Sequence, residues 1–549
     1  MERSRFVWII GTSVLCVALM GIAAATSDAG FFDATTLVSF ATLSAVVVAL
    51  CWFGLHRTPR SGANREQAAW EVRVNAFFGR PVRAVALLAL VMLLCWLPHY
   101  VTYIPGTRGW DTGFQILQFY PNHGPILLFP HNVPQNYVQC QFCDHNPLFD
   151  TLLFGSFAYV SDVLTGSWVL GLSIYIALQS CAMAFAFSLV VAYLHRMGCG
   201  PATCIGALTF YCLLPIFPMS SVTILKDTLF SWVFVLFFLG VCEVGRTEGE
   251  AMDSRRFAAF FVISALLVAL TKKLGIYLVV PTCVALCLMY KSRWMALAVP
   301  ALATVVLMLL VLPKVIFPLL DVLPGEKQEA LGFLFQQTAR YVVEHGDEVT
   351  TEERDAIDAV LEYDVLAERY EDHNNDPVKF TYRWQTIAEG DLSRYFRVWL
   401  AQGVHHPDTY VRATWLLAGS YCNPSSRLDV YRDAGDALND IGKAPFFEQT
   451  AWLRSTLQTL YDTLAGAPIV GVLLSDALYG VIVPLMSFAY VMTGTDRRKY
   501  VVPFVCVFLC MATLVVSPVA LSRYLYQLLY VAPLLVGMGW RAHMGHCRS

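Results

Sequence analysis

One apolar run follows another along this chain, and a soluble fold has nowhere to bury them all. The stretch AVALLALVMLLCWLPHYVTY, within residues 84–104, is free of Asp, Glu, Lys and Arg. That is the length of about 20 residues that a helix needs to cross a bilayer. Eleven further runs are predominantly apolar, several of them short: 6–26, 35–55, 166–194, 201–218, 228–244, 257–271, 275–290, 294–313, 466–491, 500–517 and 523–540. The pattern predicts an all-α polytopic membrane protein of about twelve transmembrane helices. Composition agrees: 57% of the 549 residues are hydrophobic and 14% charged, where soluble domains carry about 25% charged residues. Nothing in the chain points to nucleic acid. The first run, with Arg3 and Arg5 ahead of it and GIAAAT behind, reads either as a cleaved signal peptide or as a retained helix; the retained helix is the reading adopted.

Lys and Arg in the short loops set the orientation. The loop HRTPRSGANREQAAWEVRVNAFFGRPVR holds six Arg and two Glu. RTEGEAMDSRR, KSRW, TDRRK and the C-terminal RAHMGHCRS are also basic. Twelve spans put all of these on one face, the cytoplasmic one, with both termini. The loop 105–150, whose one basic residue is Arg108, and the segment 314–465 fall on the other face. The chain is thus expected to comprise two N-terminal helices (1–56), a basic loop (57–83), a membrane core (84–313) with a first outer loop at 105–165, an outer mostly helical domain (314–465), and C-terminal spans with a short tail (466–549). Residues 321–462 hold 25 Asp and Glu against 13 Lys and Arg. TTEERDAIDAVLEYDVLAERY reads as one helix opened by a Thr350–Glu353 capping box, and NNDPVK reads as a turn.

The chemistry-bearing residues cluster at the outer ends of the spans. Asp111 follows span three. Asp144, His145 and Asp150 precede span four, in a shorter apolar stretch read as an interfacial helix. Lys226 and Asp227 open span six, Lys272 and Lys273 lie in the hairpin between spans seven and eight, and Arg523 and Tyr524 open span twelve. Basic groups on one rim can neutralise a lipid phosphate, Arg by a bidentate fork and Lys as a point charge. A carboxylate beside them can take a proton from an acceptor or hold a divalent cation. Plainer roles compete. Lys and Arg at helix ends snorkel to head groups, Asp111 can cap a helix from Thr112, and Lys226–Asp227 can pair locally. Cys140 and Cys143 in CQFC can form a disulfide, or a metal site with His131 and His145. Asp476 lies either inside span ten or at its edge, and intramembrane carboxylates are usually functional.

In order, YIPGTRGWDTGFQ, DHNPLFDTLL, ILKDTLF, LTKKLGIY and SRYLYQLLY resemble a group of uncharacterised bacterial multi-pass membrane proteins that look like GT-C-type glycosyltransferases. The outer stretches FLFQQTARYVVEHGDEVTTEERDAI and YEDHNNDPVK are similar to that group too, so the resemblance covers about residues 98 to 540. It implies a GT-C-like fold and transfer of a sugar from a polyprenyl-phosphate donor to an extracytoplasmic glycan, lipid or protein acceptor, in the bacterial cytoplasmic membrane, among membrane lipids. Asp111 would be the base or a ligand for Mg or Mn, with His145 in the HNP stretch ahead of the next helix. Lys273 would occupy the basic position after span seven, and Arg523 with Tyr524 would bind the donor phosphate. Paired acidic residues are common in the first loop of such enzymes. Here Trp110 and Thr112 flank Asp111, so a second carboxylate has to come from elsewhere, with Asp227 the candidate. The competing reading is a transporter or flippase of lipid-linked substrates, which would use midplane sites and internal repeats; the sequence shows no repeat.

Overall fold

The computed structural model describes residues 2–56, 68–120, 140–325, 327–384, 386–435, 437–442, 446–467, 469–494 and 496–544. Residues 57–67 of the basic loop, and His131, lie outside the described residues. Among the described residues, eight helices are long and apolar enough to cross a membrane, and shorter apolar helices span Pro201–Leu213, Gly275–Met289 and Leu478–Thr493. The protein is a helical polytopic membrane protein. The helix Lys226–Arg246 is its axis: its apolar window is 89% buried, against 17% for Lys291–Leu320 at the periphery. A helix that is apolar all round is stable only where neighbours or lipid cover every side. The two N-terminal helices, Glu2–Ala25 and Ala34–His56, pack on the tenth-span region, where Cys16, Met20, Leu43 and Val47 meet Val481, Ile482 and Met486.

Leu148–Thr165 meets the length and hydropathy of a span and packs against the helix that follows it. It turns at Gly166 onto Trp168–Arg196, and Phe154 stacks edge-on to Tyr175 with centroids 5.2 Å apart. At the level of Gln179, the longer helix already meets the start of Lys226–Arg246, donating to the Thr223 carbonyl at 2.9 Å. At its other end, Arg196 Nη2 reaches Glu243 at 2.6 Å. Leu148–Thr165 therefore packs along the first part of its partner, and by length and hydropathy it counts among the helices able to cross a membrane, where a shorter interfacial helix was expected. The crossing leaves no room at Gly171, where a Cβ would stand 1.8 Å from the Phe157 carbonyl oxygen. Gly171→Ala is expected to lower the melting temperature in detergent by several degrees, the effect of about 1–3 kcal/mol of overpacking; an unchanged transition would mean that the two helices do not meet there.

The segment after Leu320 forms its own helical layer around Phe335, Ile357, Leu361, Leu366, Tyr382 and Tyr395. The capping box forms: Thr350 Oγ1 accepts from the Glu353 amide at 3.3 Å, and Glu353 Oε2 accepts from the Thr350 amide at 2.9 Å. The single helix expected to follow it is two, Thr351–Asp358 and Tyr363–Arg369. The Asp358 carboxylate accepts from the Tyr363 amide at 3.0 Å and from Arg383 at 2.8 Å. A short acidic side chain that satisfies backbone donors this way competes with the helix ladder, and Leu361 turns inward to bridge Tyr382. NNDPVK opens a helical turn, Asp376–Lys379, with Pro377 in its first positions, where proline's missing N–H costs nothing.

Candidate active site

A two-residue parallel ladder builds the site. Thr107–Arg108 pairs with Thr223–Ile224, with the hydroxyls of Thr107 and Thr223 2.8 Å apart. Thr112 Oγ1 donates to the Ile224 carbonyl at 2.6 Å. These bonds pin the short helix Trp110–Leu117 against the first turn of Lys226–Arg246. Asp111 lies in the first turn of the short helix, whose N-cap is Gly109. The Asp111 carboxylate thus does not cap from outside. It points at Lys226 Nζ, 2.9 Å away.

Six segments converge there. Arg523 Nη2 stands 3.8 Å from Asp111 and its Nε 3.3 Å from Asp227. Lys272 Nζ reaches Asp227 Oδ1 at 2.6 Å. Lys226 also donates to Asn146 Oδ1. Tyr431 Oη accepts from Arg523 Nη1 at 2.6 Å, and the Tyr524 ring lies 4.5 Å from Lys272 Nζ. Lys226 and Asp227 do not pair locally; each looks to a different loop. A lysine at a helix N-terminus opposes the helix dipole, so Lys226 is held by its carboxylate partner and not by its helix. Burial pushes the Asp111 carboxyl up, but Lys226 and Arg523 outweigh it and hold the group below the usual carboxylate range.

The floor therefore carries three cations, Lys226, Lys272 and Arg523, against two carboxylates, Asp111 and Asp227. Each carboxylate already faces an ammonium or guanidinium. That donor set does not fit a Mg or Mn ion, which needs oxygens free of competing cations. It fits an anion.

Over the floor lies a cavity of about 470 Å³, lined by Asp111, His145, Lys226, Arg523 and Tyr524 below and by Glu329 and Lys379 above. The roof belongs to the helical layer. Asn375 donates its amide to the Pro518 carbonyl at 3.0 Å, and Asn374 bridges Val519, just ahead of Arg523. Lys379 Nζ lies 3.0 Å from Glu329 and 2.7 Å from Asp376. Burial pushes Lys379 down, yet those two carboxylates raise it above its ordinary value. Lys379→Ala is expected to leave them facing each other and to cost about 1–3 kcal/mol, reduced from a fully buried pair because both acids are partly exposed; faster tryptic cleavage within 321–462 would register the loss.

A family model described as a family of unknown function, DUF6020, matches residues 6–548. The chain belongs to that family. No curated protein and no solved structure matches it. The match takes in every site residue of this DUF6020 chain, from Asp111 to Tyr524.

Lys273 leaves the cluster: its Nζ lies 2.9 Å from Asp144 Oδ2 and also donates to the Asp144 carbonyl. The basic residue that reaches the buried carboxylate is Lys272. Burial raises the Asp144 carboxyl despite Lys273 beside it. Asp150 is fully buried, with no hydrogen-bond partner for either oxygen among the described residues. Asp476 sits just before the apolar helix and accepts from Ser426 at 2.6 Å and Ser522 at 3.0 Å. It braces the residue preceding Arg523. No disulfide joins Cys140 to Cys143. Phe142–Cys143 is drawn into a ladder with Val322–Leu323, and Gln118 Oε1 accepts from the Cys143 amide at 2.8 Å. Sequence alone does not mark Asn146, Tyr431, Glu329 and Lys379 as site residues. Asn146 lies inside the HNP stretch and Lys379 inside NNDPVK, both already singled out; Glu329 and Tyr431 carry no local signal, since a long connection brings them over the floor.

Beside this cavity, across the exposed Trp110, lies a second of about 710 Å³, lined by Arg108, Tyr431, Asp433, Glu448 and Arg454 among others. Burial lowers the Arg108 guanidinium to about 10. It is stacked 5.0 Å over Trp168.

Proposed function

We propose that this chain is a membrane glycosyltransferase that moves a sugar from a polyprenyl-phosphate donor to an acceptor outside the bacterial cytoplasmic membrane, with inversion, in the building of envelope glycan or glycolipid. The single observation that carries the reading is the pairing of Asp111 with Lys226 and Arg523 on a floor with surplus positive charge.

The donor phosphate seats on Arg523 and Lys226. The acceptor hydroxyl enters by the neighbouring cavity past Trp110 and attacks the anomeric carbon. As the new C–O bond forms, the bond to the phosphate oxygen breaks, through an oxocarbenium-like transition state. The hydroxyl proton passes to Asp111, and the phosphate leaves with its charge neutralised by Arg523 and Lys226. In the donor-free protein those cations make Asp111 a weak base. An arriving phosphate engages both cations and adds negative charge nearby, so the proton affinity of Asp111 rises once donor is bound. The loop charges support placing the site on the outer face and both termini in the cytoplasm.

Lipid-resolved mass spectrometry of the purified protein tests the reading. A polyprenyl-phosphate sugar is expected to co-purify, or to bind when added. A protein that carries none and binds none is not a transferase of this kind.

A further inference from the structure

Far from the pocket, at the other end of the helix that roofs it, three side chains meet that no part of the proposed reaction uses. Glu329 opens the helix Gln328–His345 over the cavity and His345 closes it, about 24 Å further along at 1.5 Å per residue. Glu348 follows in the turn, and His406 stands at the N-cap of the next-but-one long helix, Pro407–Ala418. His345 Nδ1 lies 3.1 Å from Glu348 Oε1, and His406 Nε2 lies 3.0 Å from Glu348 Oε2. One ligand atom from each residue falls within 4.8 Å of the others.

We propose that His345, Glu348 and His406 bind a divalent transition-metal ion, zinc by their chemistry, which clamps the two helices together.

The hydrogen bonds around His345 support the site. His345 Nε2 stands 3.1 Å from Thr409 Oγ1, and the Thr409 hydroxyl donates its one hydrogen to Glu344 Oε2 at 2.8 Å. Thr409 is buried, so Nε2 has to be the donor to it. In a neutral imidazole the lone pair is then on Nδ1, aimed at a carboxylate oxygen. Without a cation between them, two lone pairs would oppose each other. The two imidazole rings lie with centroids 3.7 Å apart, so both histidines reach the same carboxylate. A metal ion satisfies all three groups at once. The Glu344–Thr409–His345 relay is also the support that metal-bound histidines usually have, with the second ring nitrogen fixed by an acceptor that leads to a carboxylate.

Size and access agree. Ligand bonds of about 2.0–2.2 Å put neighbouring tetrahedral donors about 3.3 Å apart, close to the N···O separations here. Glu348 is half exposed, while His345 and His406 are 21% and 27% exposed. Solvent can deliver the ion and fill the fourth position. Two imidazoles and one carboxylate suit zinc, cobalt or nickel, whereas calcium and magnesium prefer all-oxygen sets. A ligand that binds only the folded chain stabilises it by mass action.

The test uses the untagged full chain in detergent, stripped with chelator and titrated with Co²⁺ and then Zn²⁺. Wild type is expected to take up one Co²⁺ per chain with visible d–d absorption that Zn²⁺ displaces, and Zn²⁺ is expected to raise its melting temperature. Glu348→Gln, an exposed change, and His406→Ala are expected to weaken Zn²⁺ by about tenfold or more and to lose the thermal shift. Circular dichroism of the metal-free variants separates lost ligation from lost folding. Wild type that binds neither ion, or a His345→Ala/His406→Ala variant that folds and binds as wild type does, overturns the site. Neither outcome bears on the transferase reading, whose residues lie at the opposite end of the helix.

Discussion

Arg523→Ala loses donor binding. Among the described residues the guanidinium is the one group ion-paired with both floor carboxylates, at 3.8 Å to Asp111 and 3.3 Å to Asp227, and Tyr431 fixes its orientation. In the proposed complex its fork turns to the phosphate. Removing one partner of a desolvated charge pair costs about 2–5 kcal/mol, much of it the penalty on the charge left behind. The dissociation constant for a polyprenyl-phosphate sugar is therefore expected to rise by about 30-fold or more. Arg523→Lys keeps the charge but not the planar fork, and is expected to fall between the two. Asp227 is wholly buried and keeps only Lys272 after the change, so thermal unfolding is measured alongside. A folded Arg523→Ala protein that binds donor like wild type would move the phosphate site elsewhere.

Asp111→Asn has the opposite signature. It keeps size and polarity but cannot take a proton. Turnover is expected to fall by about 10²–10⁴-fold, the usual worth of a positioned base. Donor binding is expected to hold or tighten, because one negative charge leaves the surroundings of the phosphate. The pH profile adds a sharper check. In the free protein Asp111 is held below the ordinary carboxylate range, so kcat/KM is expected to show no acid limb from it above about pH 4. In the donor complex Lys226 and Arg523 are engaged by phosphate and the carboxyl rises, so the acid limb of kcat is expected at higher pH than that of kcat/KM. Coincident limbs, or a fully active Asn variant, would remove Asp111 from proton transfer.

How far the sequence reaches depends on the range of the interaction that makes each feature. The membrane helices are legible because about 20 apolar residues in a row have few other fates. The capping box at Thr350 is legible because its bonds join residues three apart. The break after Asp358 is not, since Arg383 and Tyr382, which hold it open, arrive from a later turn. The set Asp111, Lys226, Asp227, Lys272 and Arg523 was legible as a list of rim charges. Which charge faces which was not. Lys272 and Lys273 are neighbours of one type, and only the last turn of the Arg255–Thr271 helix decides that the first reaches Asp227 while the second reaches Asp144.

By itself, then, the sequence determined what local chemistry and hydropathy determine: a polytopic helical protein, charge withheld from the spans and concentrated at their ends, and a charged helical insertion between them. Tertiary structure decided the rest. It laid Leu148–Thr165 along its partner, roofed the floor with Glu329 and Lys379, and brought His345 to His406 across four intervening helices. The reason is physical. Hydropathy and helix capping act over one or a few turns, whereas a buried charge takes its partner from whatever segment packing carries past it.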